Sequence, residues 1–195
     1  MAFFKTTMWR RLRKRLPVCS VLLVCLAGPG CHRRSSLPEA GSPEYRSLCS
    51  AFYLGLAALQ SGEDVNARKG LARAAEIAPG EPAAWVNLAL LEIRQQEYDA
   101  AWRDLEQARA LAPENSGIEN FLGLVESRRG NLPQSLEHYR RAVSLDASNL
   151  RALYSLAAET ERQQTADADT AALKLLDRIL ALRPHNQPVL LDIIR

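Results

Sequence analysis

The sequence predicts an all-α solenoid of four helix pairs plus the start of a fifth, and three observations support this fold class. First, a leucine followed by a small residue recurs every 34 residues, at Leu54-Gly55, Leu88-Ala89, Leu122-Gly123 and Leu156-Ala157. Second, the composition favours helices, because alanine, leucine, glutamate and arginine are frequent and only 10 of the 195 residues are glycine. Third, apolar residues inside each unit return every three or four positions, as in amphipathic helices.

The same spacing extends to further positions of each unit. After the leucine pair come a small residue, a larger apolar residue and then alanine: Ala67, Leu71 and Ala74; Ala101, Leu105 and Ala108; Ser135, Tyr139 and Ala142. Proline closes the first two units at Pro79 and Pro113, where its fixed φ and missing N–H suit a turn or a first helical position. The fourth unit keeps this order at Ala172, Leu176 and Pro184, after a three-residue insertion near residues 164–169.

This pattern resembles the tetratricopeptide repeat, which reads W-x2-L-G-x2-Y, then A-x3-F, then P. The second unit carries it as Trp85-x2-Leu88-Ala89, then Ala101-x3-Leu105, then Pro113. The resemblance covers residues 48–186 and implies a right-handed α-solenoid of four tetratricopeptide helix pairs. Because one pair cannot bury its apolar face alone, the stacking of neighbouring units supplies the core.

The units are predicted at residues 48–81, 82–115, 116–149 and 150–186. In the second unit, we expect helices at about 82–95 and 98–111, and the small residues at the crossing let the two backbones approach closely. The insertion is expected to form a loop, with Asp169 or Thr170 capping the helix after it. Residues 187–195 are apolar nearly all round, and this short segment is interpreted as an incomplete or capping helix.

Residues 1–30 are predicted to be a signal peptide. Six lysine and arginine residues precede a mostly apolar stretch over 16–27, which is shorter than the roughly 20 residues of a spanning helix. A short membrane anchor that stays on the chain is the alternative. Cys31, directly after Gly30, resembles the lipidation site of bacterial lipoproteins, which implies an acylated cysteine, and residues 31–47 then form a polar tether.

The charge distribution argues against a nucleic-acid partner. The formal net charge is +3, but six of the 25 basic residues and none of the 22 acidic ones precede residue 31. Residues 31–195 therefore hold 19 basic and 22 acidic residues, without the basic excess that a nucleic-acid surface needs.

No constellation of residues indicates catalysis, a metal or another cofactor, and the chain is predicted not to be an enzyme. The three histidines, His32, His138 and His185, are scattered, and His138 is expected to be solvated on the second helix of the third unit. Cys19 and Cys25 lie in the signal peptide, which leaves Cys49 as the one ordinary thiol and no disulfide framework.

The resemblance to tetratricopeptide repeats implies that partners bind along the first helices of the units. The positions it points to include an apolar strip, two asparagines and a row of arginines: Phe52, Leu56, Val86, Leu90 and Leu124; Asn87 and Asn120; Arg94, Arg128 and Arg162. The arginines recur every 34 residues and could pair with carboxylates. Inter-repeat core is the alternative for the strip, above all for Leu90 and Leu124, and a favourable interaction with the helix dipole is the alternative for the arginines.

Together these features predict a protein–protein interaction scaffold of the bacterial cell envelope. It would be exported, tethered by a lipid anchor and exposed to the periplasm or held at the outer membrane, with protein segments as partners and no small-molecule substrate. One alternative is the N-terminal docking arm of a larger exported multidomain protein, because residues 51–60 and 79–85 are similar to N-terminal repeats found ahead of FG-GAP and UnbV modules. A structural lipoprotein associated with peptidoglycan or lipid is the other.

Overall fold

The computed structural model describes residues 37–184, which form eight α-helices. In chain order they are α1 (Pro43–Ser61), α2 (Asp64–Ile77), α3 (Pro82–Arg94), α4 (Tyr98–Leu111), α5 (Ser116–Arg128), α6 (Leu132–Leu145), α7 (Leu150–Glu161) and α8 (Ala166–Leu182). The predicted signal peptide, Cys31 and residues 187–195 lie outside the described range. Among the described helices, none combines the length and apolar character that crossing a membrane requires.

The helices stack as four antiparallel pairs, so the predicted all-α solenoid is confirmed. Each first helix packs against its own second helix, and each second helix packs against the first helix of the following pair. The core is therefore a series of similar interfaces: Leu71 packs with Leu88 between the first two pairs, and Leu105 packs with Leu122 between the next two.

The helix starts follow from local capping. Asn115 and Asn149 precede α5 and α7, and each side-chain oxygen accepts hydrogen bonds from backbone N–H groups of the first turn. Ser42 does the same for α1, with Pro43 at the first helical position. Because of that cap, α1 begins at Pro43, and residues 43–47 of the predicted tether are helical.

The insertion in the fourth unit lengthens a helix and does not form a loop. Helix α8 has 17 residues, whereas α2, α4 and α6 each have 14. Its cap is Thr165, whose hydroxyl accepts from the N–H of Ala168 at 3.2 Å, so the expected cap at Asp169 or Thr170 was wrong. Both of those residues lie inside the helix because Thr165 supplies the earlier capping oxygen.

Candidate partner-binding groove

Three leucines form a regular row on the first helices. Leu56, Leu90 and Leu124 occupy equivalent positions in α1, α3 and α5, and each is half-buried. None of them belongs to the apolar clusters that make up the core between the described helices. This leucine row therefore lies outside the core clusters, and part of each of its side chains faces solvent.

Two other members of the predicted apolar strip behave differently. Phe52 packs against the cluster that contains Leu71 and Leu88, and Val86 packs against the cluster that contains Leu105. Both side chains are half-buried, so they support the edge of the groove while part of their surface is covered by the core.

Two of the predicted arginines, Arg94 and Arg128, lie at the i+4 position after Leu90 and Leu124 and so share their side of the helix, whereas Arg162 follows Ala158 in the same way. Arg94 bridges two repeats: one guanidinium nitrogen donates to the carbonyl of Leu59 at 2.7 Å, and the other pairs with Asp64. Arg162 also makes a contact between repeats, because it donates to Ser127 Oγ at 2.9 Å and pairs with Glu159.

Arg128 is the exception in this row. It is exposed, and within residues 37–184 its guanidinium has no hydrogen bond or ion pair. It lies close enough to the buried hydroxyl of Tyr139 to favour ionisation of that group, but burial dominates and raises the pKa of Tyr139 to about 12. Tyr139 is therefore neutral at physiological pH and does not form an ion pair with Arg128.

The first helices α3, α5 and α7 each carry a buried glutamate that was not predicted from the sequence. Glu92, Glu126 and Glu159 are each 5% exposed. Glu92 accepts from Arg68 at 3.2 Å, Glu126 accepts from Arg129 at 2.9 Å, and Glu159 accepts from Ser127 at 2.9 Å. The 34-residue spacing between Glu92 and Glu126 was the available signal, and these carboxylates partly offset the positive charge of the arginines.

Glu92 is held in an environment that favours its neutral form. Burial, reinforced by the neighbouring carboxyl of Asp104, raises the pKa of Glu92 from 4.5 to about 7, although Arg68 acts in the opposite direction. Burial also raises the pKa of Asp104. One oxygen of Glu92, Oε2, is buried and accepts no hydrogen bond from the described residues. A negative charge on this carboxyl would therefore be only partly compensated, which agrees with its raised pKa.

The two predicted asparagines contribute little free surface. Asn87 Nδ2 donates to the carbonyl of Ala83 at 2.8 Å, which ties the side chain to its own helix. Asn120 is 3% exposed, and its Oδ1 accepts no hydrogen bond from any described residue. The amide nitrogen of Asn87 is therefore already engaged, and the Asn120 side chain is buried.

Comparison with known proteins supplies the fold assignment. A solved MamA structure from Desulfovibrio magneticus RS-1 matches with a TM-score of 0.62 at 19% identity, over 72% of this chain and 77% of that one. The Pseudomonas aeruginosa pilF structure matches with a TM-score of 0.67 at 20% identity, over 76% and 66% of the two chains. YrrB, described as a TPR protein with an unusual peptide-binding site, matches at 0.63 and 14% identity, over 77% and 76%. This chain has the tetratricopeptide-repeat fold.

The sequence comparisons agree with that fold. The human tetratricopeptide repeat protein 34 is 30% identical over 93 residues, which is 48% of this chain. The match spans only 16% of the length of that relative. No protein-family model matches the chain.

In the described part of the tetratricopeptide-repeat solenoid, the environment of His138 differs from the predicted one. His138 is half-buried and not solvated as predicted, because its Nδ1 lies 2.9 Å from Oε2 of the fully buried Glu119. Arg141 approaches the other oxygen of Glu119 at 3.0 Å. Over residues 37–184, no group of three or more histidine, cysteine, aspartate or glutamate side chains is placed to bind a metal ion.

Proposed function

We propose that this chain is a non-catalytic tetratricopeptide-repeat scaffold that binds segments of partner proteins along its first helices. The observation that carries the proposal is the combination of a half-exposed leucine row with the unpaired, exposed Arg128 beside it. Apolar contacts along Leu56, Leu90 and Leu124 would supply affinity, and Arg128 would fix the position of one carboxylate.

The partner segment should carry apolar residues and at least one aspartate or glutamate. Arg94 pairs with Asp64 and Arg162 donates to Ser127, each in the preceding repeat, so a ligand carboxylate would have to compete with those contacts. Arg128 has no such competitor among the described residues. The solved structure of YrrB, a TPR protein with an unusual peptide-binding site, has the same fold and supports peptide segments as a class of ligand.

The test uses peptides selected from a random display library on the wild-type protein. Enriched sequences should place an acidic residue next to apolar ones, and Leu90→Glu should abolish their binding. We expect Arg128→Ala to weaken the best peptide by about tenfold, equivalent to about 1.4 kcal/mol. Arg73→Ala is the matched control, because Arg73 is an exposed arginine on α2 that pairs only with Glu76 and is not part of the groove. Equal binding by wild type and both groove variants would refute the proposal.

We further propose that the scaffold is exported and held at a membrane of the bacterial envelope through an acylated Cys31. This rests on the sequence of residues 1–31, in which a basic stretch and a short apolar stretch precede the cysteine. Cys31→Ser should move the protein from the detergent phase to the aqueous phase in a partitioning experiment. Unchanged partitioning would argue for an uncleaved N-terminal anchor.

A second candidate is the docking arm of a larger exported protein. It is favoured by the match to a relative of which this chain spans only 16%. The groove would then recruit a partner to an activity elsewhere in the polypeptide. An open reading frame that continues past the codon for Arg195 would support this candidate.

A further inference from the structure

The first helix of the solenoid exposes a leucine that is buried in every other pair. Leu88, Leu122 and Leu156 are 6%, 0% and 7% exposed, whereas the equivalent Leu54 in α1 is 67% exposed. The three buried leucines pack towards the second helix of the preceding pair; Leu156, for example, shares a cluster with Leu136 of α6. Leu54 is therefore the same residue type as the leucines at the inter-repeat contacts, but its side chain is exposed.

Leu54 borders a cleft of about 660 Å³ between α1 and α2. Small residues line it, among them Ala57, Ala58 and Gly70, and its charged lining residues are one glutamate and two cations: Glu63, Lys69 and Arg73. Gly55 and Gly70 touch at the crossing of the two helices, since a Cβ on either one would come within 2.7 Å of a backbone atom of the opposite helix. The two helices therefore touch at the Gly55–Gly70 crossing, and the cleft beside it is large enough to admit an apolar side chain from outside.

The residues that fill the corresponding place between internal repeats come from one position of the preceding second helix. Arg68, Trp102 and Leu136 occupy that position in α2, α4 and α6. Arg68 reaches Glu92 of α3 at 3.2 Å, Trp102 packs against the cluster that includes Leu122, and Leu136 packs with Leu156. Each one projects from the rear of one pair into the front of the next.

The fourth residue in this series is Leu173 of α8. It directly follows Ala172, as Leu136 directly follows Ser135, and it is 45% exposed. Asp169 and Asp177 lie one turn before and one turn after it on the same stripe of the helix, and both are exposed without an ion pair in the described residues. Lys174 lies beside this stripe and not on it.

The two ends of the described stack therefore carry the two halves of an internal interface. The front has a mostly apolar cleft, whose charged lining residues are Glu63, Lys69 and the Glu76-paired Arg73. The rear has Leu173 between two unpaired aspartates. These are the same elements, a projecting second-helix residue and a leucine-bordered first helix, that the internal interfaces bring together.

We propose that copies of this chain associate head to tail, with Leu173 of one copy entering the α1–α2 cleft of the next. The contact reproduces the packing of Leu136 against Leu156, with Leu173 and Leu54 in their places. In this contact α8 of one copy packs against α1 of the next, as α6 packs against α7 within the chain. Because the two contacting surfaces differ, each copy keeps one free front and one free rear, and association continues beyond a dimer.

The test is sedimentation velocity of the full chain in a non-ionic detergent over a range of concentrations. Wild type should form species larger than a dimer whose proportion rises with concentration. Leu54→Glu blocks the front and Leu173→Glu blocks the rear, so each variant alone should associate at least tenfold more weakly. An equimolar mixture should form a dimer and nothing larger, because the intact rear of Leu54→Glu fits the intact front of Leu173→Glu.

Val65→Glu is the matched control, since Val65 is 82% exposed on α2 and does not line the cleft. It should associate as wild type does, and circular dichroism should give all variants the same helix content. A monomeric wild type at every concentration would overturn the proposal, and so would association that neither variant weakens. Loss of association in Leu54→Glu but not in Leu173→Glu would replace it with a symmetric front-to-front dimer. A mixture that stays monomeric would also overturn it.

Discussion

A double-mutant cycle on Gly123 and Tyr139 tests how the third repeat closes around an aromatic side chain. A Cβ built on Gly123 would lie 2.6 Å from Cδ1 and from Cε1 of the Tyr139 ring. The ring cannot move away easily, because Tyr139 is 3% exposed and is packed in a cluster with Leu136 and Leu156. Gly123→Ala should therefore introduce overpacking at a rigid site.

The magnitude follows from two opposing effects. Overpacking of a close-packed core costs about 1–3 kcal/mol. Alanine in a helix interior is more favourable than glycine by about 1 kcal/mol, so the net change in the free energy of unfolding understates the clash. Tyr139→Leu removes the ring, and in that background Gly123→Ala should show the propensity gain alone. The effect of Gly123→Ala should differ between the two backgrounds by about 1–3 kcal/mol.

Two neighbouring repeats show that the double variant is a working combination. The second repeat has Ala89 with Leu105, and the fourth has Ala157 with Leu176, at these same two positions. Urea denaturation of wild type, both single variants and the double variant gives the coupling energy directly. A coupling below about 0.5 kcal/mol would refute the argument, because it would show that the ring yields to the added methyl group.

Three further predictions concern polar groups. Because the raised pKa of Glu92 means that the folded state binds its proton more tightly than the unfolded chain, stability should fall by up to about 3 kcal/mol as pH rises from about 4.5 to about 7. Glu92→Gln should remove most of that slope in urea titrations at both pH values, and an unchanged slope would contradict the assignment. Thr165→Ala should lower the free energy of unfolding by about 1 kcal/mol, because α8 loses its N-terminal cap. Thr170→Ala removes only a hydrogen bond to the carbonyl of Ala166 in the same helix and should cost less. The reverse order would indicate that Thr170 caps the helix. Arg94→Ala should lower the free energy of unfolding by about 0.5–1 kcal/mol more than Arg128→Ala does, because Arg94 bridges two repeats and Arg128 does not. Equal losses in thermal denaturation would show that these bridges contribute nothing measurable.

The fold could be predicted because the 34-residue spacing constrains many positions at once. Each unit repeats the small residue, the larger apolar residue and the alanine in the same order, and helix bounds in the second unit agree with the structure within one residue at either end. The start of α1 and the cap of α8 were harder, because a serine or threonine cap depends on which of several nearby polar residues the chain uses. The insertion could have been absorbed by a loop or by a helix, and its sequence, rich in alanine and aspartate, permits both.

The candidate groove was predictable in position but not in pairing. The 34-residue recurrence of Arg94, Arg128 and Arg162 placed them on one side of the solenoid, yet their different partners depend on residues that do not recur, such as Asp64 and Ser127. His138 was misjudged for a similar reason. Its partner Glu119 stands where the second repeat has a tryptophan, so the repeat pattern alone gave no sign of a buried carboxylate at that place.

The even spacing of the leucine row has a consequence for binding statistics. A short partner segment that spans two leucines can lie across Leu56 and Leu90 or, one repeat further on, across Leu90 and Leu124. Two equivalent positions favour binding by about 0.4 kcal/mol through multiplicity alone, but they leave the partner without a unique alignment. Arg128 breaks that degeneracy, because it stands one turn beyond Leu124 and the corresponding arginine beside Leu90 is already engaged. Under the proposed binding mode, one unpaired charge on this repetitive surface would give the partner segment a single alignment.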